Sequence, residues 1–279
     1  GSHSYYLVLL KSIEKGREAF HKKTKNRPRS IFGTILHTEL LTIFRSFNYS
    51  FQYLAMAIAA PFMVYFCNNL AVAVGDSSVG GAIIPGLTIL VILIFDTIIV
   101  SFASTTISRT GDNFYMTKVI PVSYRYQLLV KMVLYMIVAG GSNLITCIST
   151  WVIFGGAKYG NYIKITDALG IFGISFFIII ALTAIAILSD MRSPVFDTNS
   201  DGDLVQANKN VTNSMVIGIF ISVLYGLFAM LFTYIPMGSW KAGINGVYII
   251  LNALSFIMAG ISVLVLFLKA ENKYNRIVP

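Results

Sequence analysis

Long apolar segments alternate with short polar ones along most of this chain. A membrane-spanning helix needs about 20 predominantly apolar residues, and six segments meet that requirement. They are Phe51–Leu70, Ile83–Ile107, Leu128–Phe154, Ala168–Leu188, Met215–Tyr234 and Gly246–Leu268. Each is continuously apolar, whereas a membrane-spanning strand would alternate over about 10 positions. The pattern therefore predicts an all-α polytopic membrane protein with six transmembrane helices.

A different pattern precedes the first span, over residues 30–48. Apolar residues recur at helical spacing on one face, and polar residues lie largely opposite. The apolar positions are Phe32, Ile35, Leu36, Leu40, Ile43, Phe44 and Phe47; the polar ones are Thr34, His37, Thr38 and Arg45. Such a helix lies in the membrane interface or packs in a soluble core. Because six spans follow, we predict an interfacial amphipathic elbow helix.

Composition and charge support a membrane protein. Hydrophobic residues make up 56% of the 279 residues and charged residues only 12%, about half the share of a soluble domain. If the N-terminus is cytoplasmic, all 21 basic residues except Lys158, Lys164 and Lys241 lie on the inner side, as the positive-inside rule requires. We therefore predict a multi-pass protein of the cytoplasmic membrane with both termini inside. The net charge of +9 then reflects basic cytoplasmic loops and contact with lipid headgroups, and does not indicate nucleic-acid binding.

Residues 197–208 form the most polar stretch between two spans. Asp197, Asn199, Asp201 and Gly202 match the first half of a calcium-binding loop. Asn208 stands where such a loop has a bidentate Glu, which Asn cannot replace. Because Asp, Asn, Ser and Gly also form turns, we interpret the stretch as a polar cytoplasmic turn or a contact with a partner, and predict no metal site.

Enzyme signatures are missing from the sequence. It contains no GxxxxGK[ST] phosphate loop, no HExxH and no GxSxG, so we predict neither catalysis nor a cofactor in this chain. Asp96 and Asn143 are polar positions within spans. Ionisable residues inside membranes are costly and usually functional. Asp96 is therefore either a hydrogen-bonded residue of the bundle or a functional residue of a transport pathway or a helix contact.

The turn between the second and third spans, residues 108–126, carries the most informative residues. They are Ser108, Arg109, Gly111, Phe114, Tyr115, Lys118 and Pro121. Ser108 can cap a short helix, and Gly111 permits close approach of the backbone. Phe114, Tyr115 and Val119 give an apolar edge beside the cations. Exposed aromatics of this kind predict a docking surface for another protein; the alternative is a connector that only turns the chain.

This turn resembles the coupling-helix region of exporter-type (type-2) ABC transporter permease subunits. Those chains have Ser-Arg-Glu-Gly, an aromatic residue, a Lys, Pro-Val/Ile-Ser, and a Lys in the next helix. The matching residues here are Ser108, Arg109, Gly111, Phe114, Lys118, Pro121, Val122, Ser123 and Lys131. Thr110 stands where the family has an acidic residue. The plan of elbow helix, six spans and this turn is also similar, over roughly residues 30–270.

The loop between the fourth and fifth spans, residues 190–212, resembles a loop found in a subset of these permeases. The matching residues are Asp190, Arg192, Pro194, Asp197, Lys209 and Asn210. That subset often fuses two six-span halves in one chain. Residues 1–3 resemble a tag remnant, and the basic segment 4–29 looks like the cytoplasmic tail of a preceding span. We therefore expect a second permease half, either as a homodimer or as the N-terminal half of the native chain.

The resemblance implies that residues 49–270 form the permease domain of an ATP-driven exporter, with a cytoplasmic tail at 271–279. Separate ABC ATPase subunits, carrying ATP and Mg²⁺, would dock at the turn, and membrane lipid would surround the spans. The substrate is not implied. Three alternatives stand beside this reading. A secondary transporter should have more intramembrane charge, an intramembrane enzyme should have a catalytic pair, and a scaffold or sensor could share the six-span plan.

Overall fold

The fold is an all-α polytopic membrane protein. The computed structural model describes residues 30–74, 77–156, 162–196, 205, 208–234 and 244–277. Of the described residues 91% are helical and none lies in a strand. The chain divides into two compact units, residues 1–34 and 35–279. The first is described only over residues 30–34, where the backbone N–H of Gly33 donates to the Ser30 hydroxyl at 3.1 Å.

Eight helices make up the described chain. They are α1 (Ile31–Arg45), α2 (Phe47–Val74), α3 (Ser77–Ser101), α4 (Phe114–Val119), α5 (Tyr124–Phe154), α6 (Ile165–Arg192), α7 (Lys209–Tyr234) and α8 (Ile244–Arg276). Two 3₁₀ segments, Phe102–Thr105 and Ser108–Asn113, connect α3 to α4. Helices α2, α3 and α5–α8 are long and apolar enough to cross a membrane. The six predicted spans are confirmed.

The helix ends differ from the predicted boundaries. A helix is present where the elbow helix was predicted, as α1, but it ends at Arg45, and Phe47 already begins α2. At the other end, α8 runs to Arg276, so most of the predicted tail is helical. Hydropathy misses such ends because Lys and Arg extend a helix beyond its apolar part while their charges reach polar surroundings.

Helices α3 and α6 form the centre of the bundle. In each, 61% of an apolar 18-residue stretch is buried inside the bundle, against 17% of the corresponding stretch in α2 and 22% in α8. Helix α6 packs along α8 and α5, and α3 packs along α7 and α2; α3 and α6 also touch. The outer faces of α2 and α8 therefore remain available to lipid or to another protein.

Small residues allow α3 and α7 to approach closely. A Cβ atom on Gly218 of α7 would collide with Thr97 of α3, and one on Gly226 would collide with Leu90. The hydroxyl oxygens of Thr97 and Ser222 lie 3.2 Å apart across the same interface. Helix association in lipid depends on such packing and hydrogen bonding, because the lipid is as apolar as the helices.

One side of the bundle collects the starts of α2, α5 and α7 and the ends of α3, α6 and α8. Side-chain contacts join these ends: Ser108 bonds Asp190, Lys118 bonds the carbonyl of Ile277, and Arg125 pairs with Glu271. We call this side the basic end. Its cations include Arg45, Arg109, Lys118, Arg125, Lys131, Arg192, Lys209, Lys269, Lys273 and Arg276.

We expect Gly218→Val to destabilise the bundle. Overpacking a close contact costs about 1–3 kcal/mol, and here the new side chain would meet Thr97. The midpoint of thermal unfolding in detergent, measured from the protein recovered by size-exclusion chromatography, should fall. Gly260→Val is the matched control, because a Cβ on Gly260 meets no atom within 4 Å in the described part of the chain. Equal midpoints for the two variants would contradict the close α3–α7 contact, and Thr97→Ala should partly restore the Gly218 variant.

Candidate functional site

The last turns of the second span change from α to 3₁₀ geometry. A run of hydroxyl side chains donates to carbonyls three residues earlier: Ser101 to Ile98, Ser104 to Ser101, Thr105 to Phe102, Thr106 to Ala103 and Thr110 to Ile107. Such bonds compete with the i−4 ladder of an α-helix. The sequence signal for this change, the "SFASTTIS" run at 101–108, was not recognised from the sequence.

Asp190 of α6 provides the acceptor that the altered backbone needs. Its carboxylate accepts the backbone N–H groups of Ile107 at 2.5 Å and Ser108 at 3.1 Å, and also the Ser108 hydroxyl. The Ser108 oxygen in turn accepts the N–H of Val195 at 2.9 Å. Asp190 is fully buried. The structure thus brings Ser108 of the turn and Asp190 of the loop into direct contact, although 82 positions separate them.

Asn210 joins the ends of α6 and α7. Its side-chain amide donates to the Ser193 carbonyl at 2.8 Å, and its amide oxygen accepts the Ser193 hydroxyl at 3.1 Å. The backbone N–H of Asn210 donates to the side-chain oxygen of Asn208 at 2.9 Å, so Asn208 caps α7. Arg192 and Lys209 are exposed nearby. Of the five described loop residues predicted from the sequence, Asp190 and Asn210 make structural contacts, Arg192 and Lys209 are surface cations, and Pro194 is half-buried.

The calcium-like positions Asp197, Asn199 and Asp201 lie outside the described residues. Asn208, at the twelfth position of that pattern, is described, and its side-chain oxygen is engaged in the helix cap. Among the residues that the structure describes, no three His, Cys, Asp or Glu side chains are grouped as a metal site would require.

A buried ion-pair cluster ties α1 to the turn. The Glu39 carboxylate contacts the Arg109 guanidinium at 3.0 Å and the Lys131 ammonium at 2.8 Å. The three side chains are 10%, 5% and 3% exposed. Arg109 also donates to the Tyr135 hydroxyl at 3.2 Å and lies 5.1 Å from the centre of the Tyr49 ring. Sequence reasoning found Arg109 and Lys131 but not Glu39, which carried no recognised motif.

The charges within this cluster determine its protonation. Burial alone would raise the pKa of Glu39, but the charges of Lys131 and Arg109 and their hydrogen bonds outweigh burial, so the pKa lies below its usual value of 4.5. Glu39 is therefore a carboxylate at neutral pH. One anion then faces two cations, and the excess positive charge rests against the Tyr49 ring and the Tyr135 hydroxyl.

Phe114 is buried, so the prediction that it belongs to an exposed docking edge was wrong. Its ring centre lies 5.0 Å from that of Tyr274 and 5.8 Å from that of Phe196. The reason is the extension of α8, which brings Tyr274 under α4. Lys118 lies 5.5 Å from the Phe114 ring centre and donates to the Ile277 carbonyl at 2.7 Å. Both residues anchor α4 to its neighbours.

The outer face of α4 and the residue after it are exposed and apolar. Tyr115, Met116 and Val119 are each more than half exposed, and Ile120 is also exposed. The predicted exposure of Tyr115 and Val119 is confirmed. We call these four residues the α4 face.

Two residues shape the backbone on either side of α4. Gly111 has a φ of +52°, a conformation that only glycine adopts readily. A Cβ there would meet no atom of the described residues within 4 Å, so its role there is conformational and the predicted close approach of the backbone is wrong. After α4, the exposed Pro121 precedes the turn into α5. Gln127, which sequence reasoning missed, holds that turn by donating to the carbonyls of Val122 at 3.0 Å and Thr117 at 3.2 Å.

A cavity of about 670 Å³ lies between α1, the start of α2 and the turn. Arg45, Tyr49, Arg109, Met116 and Ile120 contribute to its walls. The Nε atom of Arg109 is buried and has no hydrogen-bond partner among the described residues. Glu39 also lines the cavity, so its walls combine apolar side chains with charges of both signs beside the α4 face.

The intramembrane residues Asp96 and Asn143 are not part of this site. Asn143 donates to the Ser175 hydroxyl at 2.5 Å and accepts the Cys147 thiol at 3.3 Å. Asp96 is buried, and its Oδ2 atom has no hydrogen-bond partner within the described part of the chain. The hypothesis that Asp96 is only a hydrogen-bonded residue of the bundle is therefore not supported for its Oδ2 atom.

Removing Glu39 should cost more stability than removing Lys131. Glu39→Gln leaves two buried cations without their anion, a change worth about 3–5 kcal/mol. Lys131→Met leaves a neutral Glu39–Arg109 pair. We expect a lower midpoint of thermal unfolding in detergent for Glu39→Gln than for Lys131→Met. The opposite order would refute the shared ion pair as the source of stability.

The Glu39 contribution should also depend on pH. Because the folded-state pKa is lowered, the contribution is complete above the usual value and is lost as the pH falls through the lower folded value. The stability difference between the parent and Glu39→Gln should stay constant from about pH 7 to pH 5.5 and shrink below about pH 4. A difference that already shrinks near pH 6 would show that Glu39 is not held by its cations.

Comparison with known proteins found no match: no family model, no curated protein and no solved structure matches the chain.

Proposed function

We propose that this chain is the transmembrane permease subunit of an ATP-binding-cassette exporter. It moves an unidentified substrate across the cytoplasmic membrane with ATP hydrolysed by separate, docked ATPase subunits. The observation that carries the proposal is the contact of Ser108 with Asp190. These two residues come from the two stretches that separately resemble such permeases, and in the structure they form one buried site.

The contacts of α4 with its neighbours suit an element that transmits movement to the bundle. Phe114 and Lys118 anchor it to α8 and to the segment after α6. Through Arg109 the preceding turn is joined to α1 and α5, and through Ser108 to α6. A push on α4 would therefore reach several helices together, as rigid-body switching requires.

The α4 face supports the docking of a protein partner. Tyr115, Met116, Val119 and Ile120 place large apolar groups on the surface of the basic end, where such a cluster marks an interaction site. By the positive-inside rule the basic end faces the cytoplasm, where ATPase subunits and their ATP and Mg²⁺ are available. Both ends of the described chain would then be cytoplasmic.

A second permease half has surfaces to pack against. Helices α2 and α8 bury only about a fifth of their apolar windows within this chain. We propose that part of this outer surface contacts the second half and that lipid covers the rest. Helix α1, with Phe44 and Leu41 exposed, would lie in the membrane interface beside it.

A secondary transporter is the second candidate, and one observation favours it. Asp96 keeps a buried carboxylate oxygen without a hydrogen-bond partner among the described residues, and buried carboxyl groups serve proton and cation relays. Transport that needs an ion gradient, survives ATP depletion and is lost in Asp96→Asn would support this candidate instead.

Changing the α4 face should remove the ATPase partner. We expect an ATP-binding subunit to co-purify with the longest native form of the protein from its own membranes. The combined change Tyr115→Asp and Val119→Asp should abolish that co-purification and the ATPase activity in lipid, since two carboxylates replace apolar contacts.

Ile165→Asp is the matched control. It also places an acid at an exposed apolar position, but at the opposite end of the bundle and in the first turn of α6, where a helix tolerates negative charge. Retained ATPase in the control and loss in the α4 variant would support docking at α4. An intact, folded parent that carries no ATPase would exclude the permease proposal.

A further inference from the structure

A second cavity at the basic end has no role in the proposed function. It measures about 380 Å³ and lies between the last turns of α6 and α8. Its walls include Arg192, Pro194, Phe196, Lys273, Arg276 and Ile277. The candidate spans formed by α6 and α8 end here, at Arg192 and Arg276, and the ends of spanning helices are where protein meets lipid headgroups.

The cavity carries positive charge that its lining does not neutralise. Three cations line it, and no carboxylate is among its described lining residues. Lys273 experiences the repulsion of Arg192 and of Lys269. The carboxylates two positions from Arg192 and Lys273 are engaged elsewhere: Asp190 accepts three bonds from the turn, and Glu271 pairs with Arg125 at 3.3 Å.

The helix ends alone do not account for three cations. The C-terminus of a helix carries about half a negative charge, so α6 and α8 together supply about one. Lys118 already donates to the carbonyls of Ile277 and Asn275 at the end of α8. About two positive charges therefore remain without a counterpart in the described site.

We propose that this cavity binds a phosphate-bearing anion, supplied by the headgroup of an anionic phospholipid or by a soluble phosphate compound. Guanidinium groups match phosphate oxygens in pairs, and a lysine adds a point charge. The volume lies within the usual range of small-ligand sites. Basic pockets between spanning helices on the cytoplasmic side are places where anionic headgroups bind.

A bound anion would act on the turn at residues 108–126. Phe196, a wall of the cavity, packs on Phe114 of α4. Ile277, another wall, accepts the Lys118 hydrogen bond through its carbonyl. An anion between Arg192 and Lys273 removes their repulsion and holds the ends of α6 and α8 together. The ligand would thus stabilise the two elements that anchor α4.

The test measures binding to the purified full chain in detergent. Phosphatidylglycerol, phosphatidylcholine and inorganic pyrophosphate are added separately, and retained ligand is counted by native mass spectrometry beside the shift in thermal unfolding. We expect phosphatidylglycerol to be retained and to raise the midpoint, and phosphatidylcholine to do neither. Binding of pyrophosphate at the same site without phosphatidylglycerol would assign a soluble source.

Variants define the site. Arg192→Gln and Lys273→Gln should each weaken binding about ten-fold, since each removes a charged hydrogen-bond donor. Lys209→Gln removes an exposed cation at the same end, outside the cavity, and should leave binding unchanged. Arg192→Lys keeps the charge but loses the paired donors and should fall between them. Equal weakening by Lys209→Gln, or no weakening by the two cavity variants, would overturn the proposal.

The acidic residues at 197, 201 and 203 give one more outcome. If the parent binds none of the anions but the combined Asp197→Asn, Asp201→Asn and Asp203→Asn variant does, the cavity cations are neutralised within the chain. That result would also overturn the proposal. The ATPase co-purification test does not depend on any of these outcomes, so the two proposals fail separately.

Discussion

Buried backbone donors in a membrane must find acceptors inside the protein, and Asp190 meets that constraint for Ile107 and Ser108. The hydroxyl run before Ile107 loosens the α-helix, which leaves these N–H groups without an intrahelical carbonyl. A carboxylate from α6 replaces it. The junction of the second and fourth spans, the position of Ser108 and the path of the segment that follows α6 all depend on this single side chain.

The ion-pair cluster adds a second constraint in the same place. Glu39 is surrounded by Lys131 and Arg109, and none of the three charges would be tolerated there alone. Moving α1 away from the turn would leave buried charges without partners. That penalty, more than the strength of each ion pair, therefore fixes the position of α1 relative to the turn. An amphipathic helix that would otherwise be held only by its apolar face gains a defined orientation.

Hydropathy was sufficient to predict the six spans, because their apolar runs are long and continuous. Helical spacing of the apolar residues was sufficient to predict the helix α1. The site was only partly predictable. Ser108, Arg109, Asp190 and Asn210 were found by resemblance, but their contacts join positions far apart in sequence, which no local pattern encodes. Glu39 was missed because a lone carboxylate on a polar face looks solvated. Phe114 was assigned to the surface because the length of α8, set by charged residues beyond its apolar part, could not be read from hydropathy.

The 3₁₀ geometry after α3 also changes a length. A 3₁₀ segment rises about 2.0 Å per residue and an α-helix about 1.5 Å. Over Phe102–Thr105 and the three residues before Gly111, the chain reaches about 3–4 Å further than α-helical residues would. The second span is therefore longer by more than half a helical turn than the same number of α-helical residues would make it.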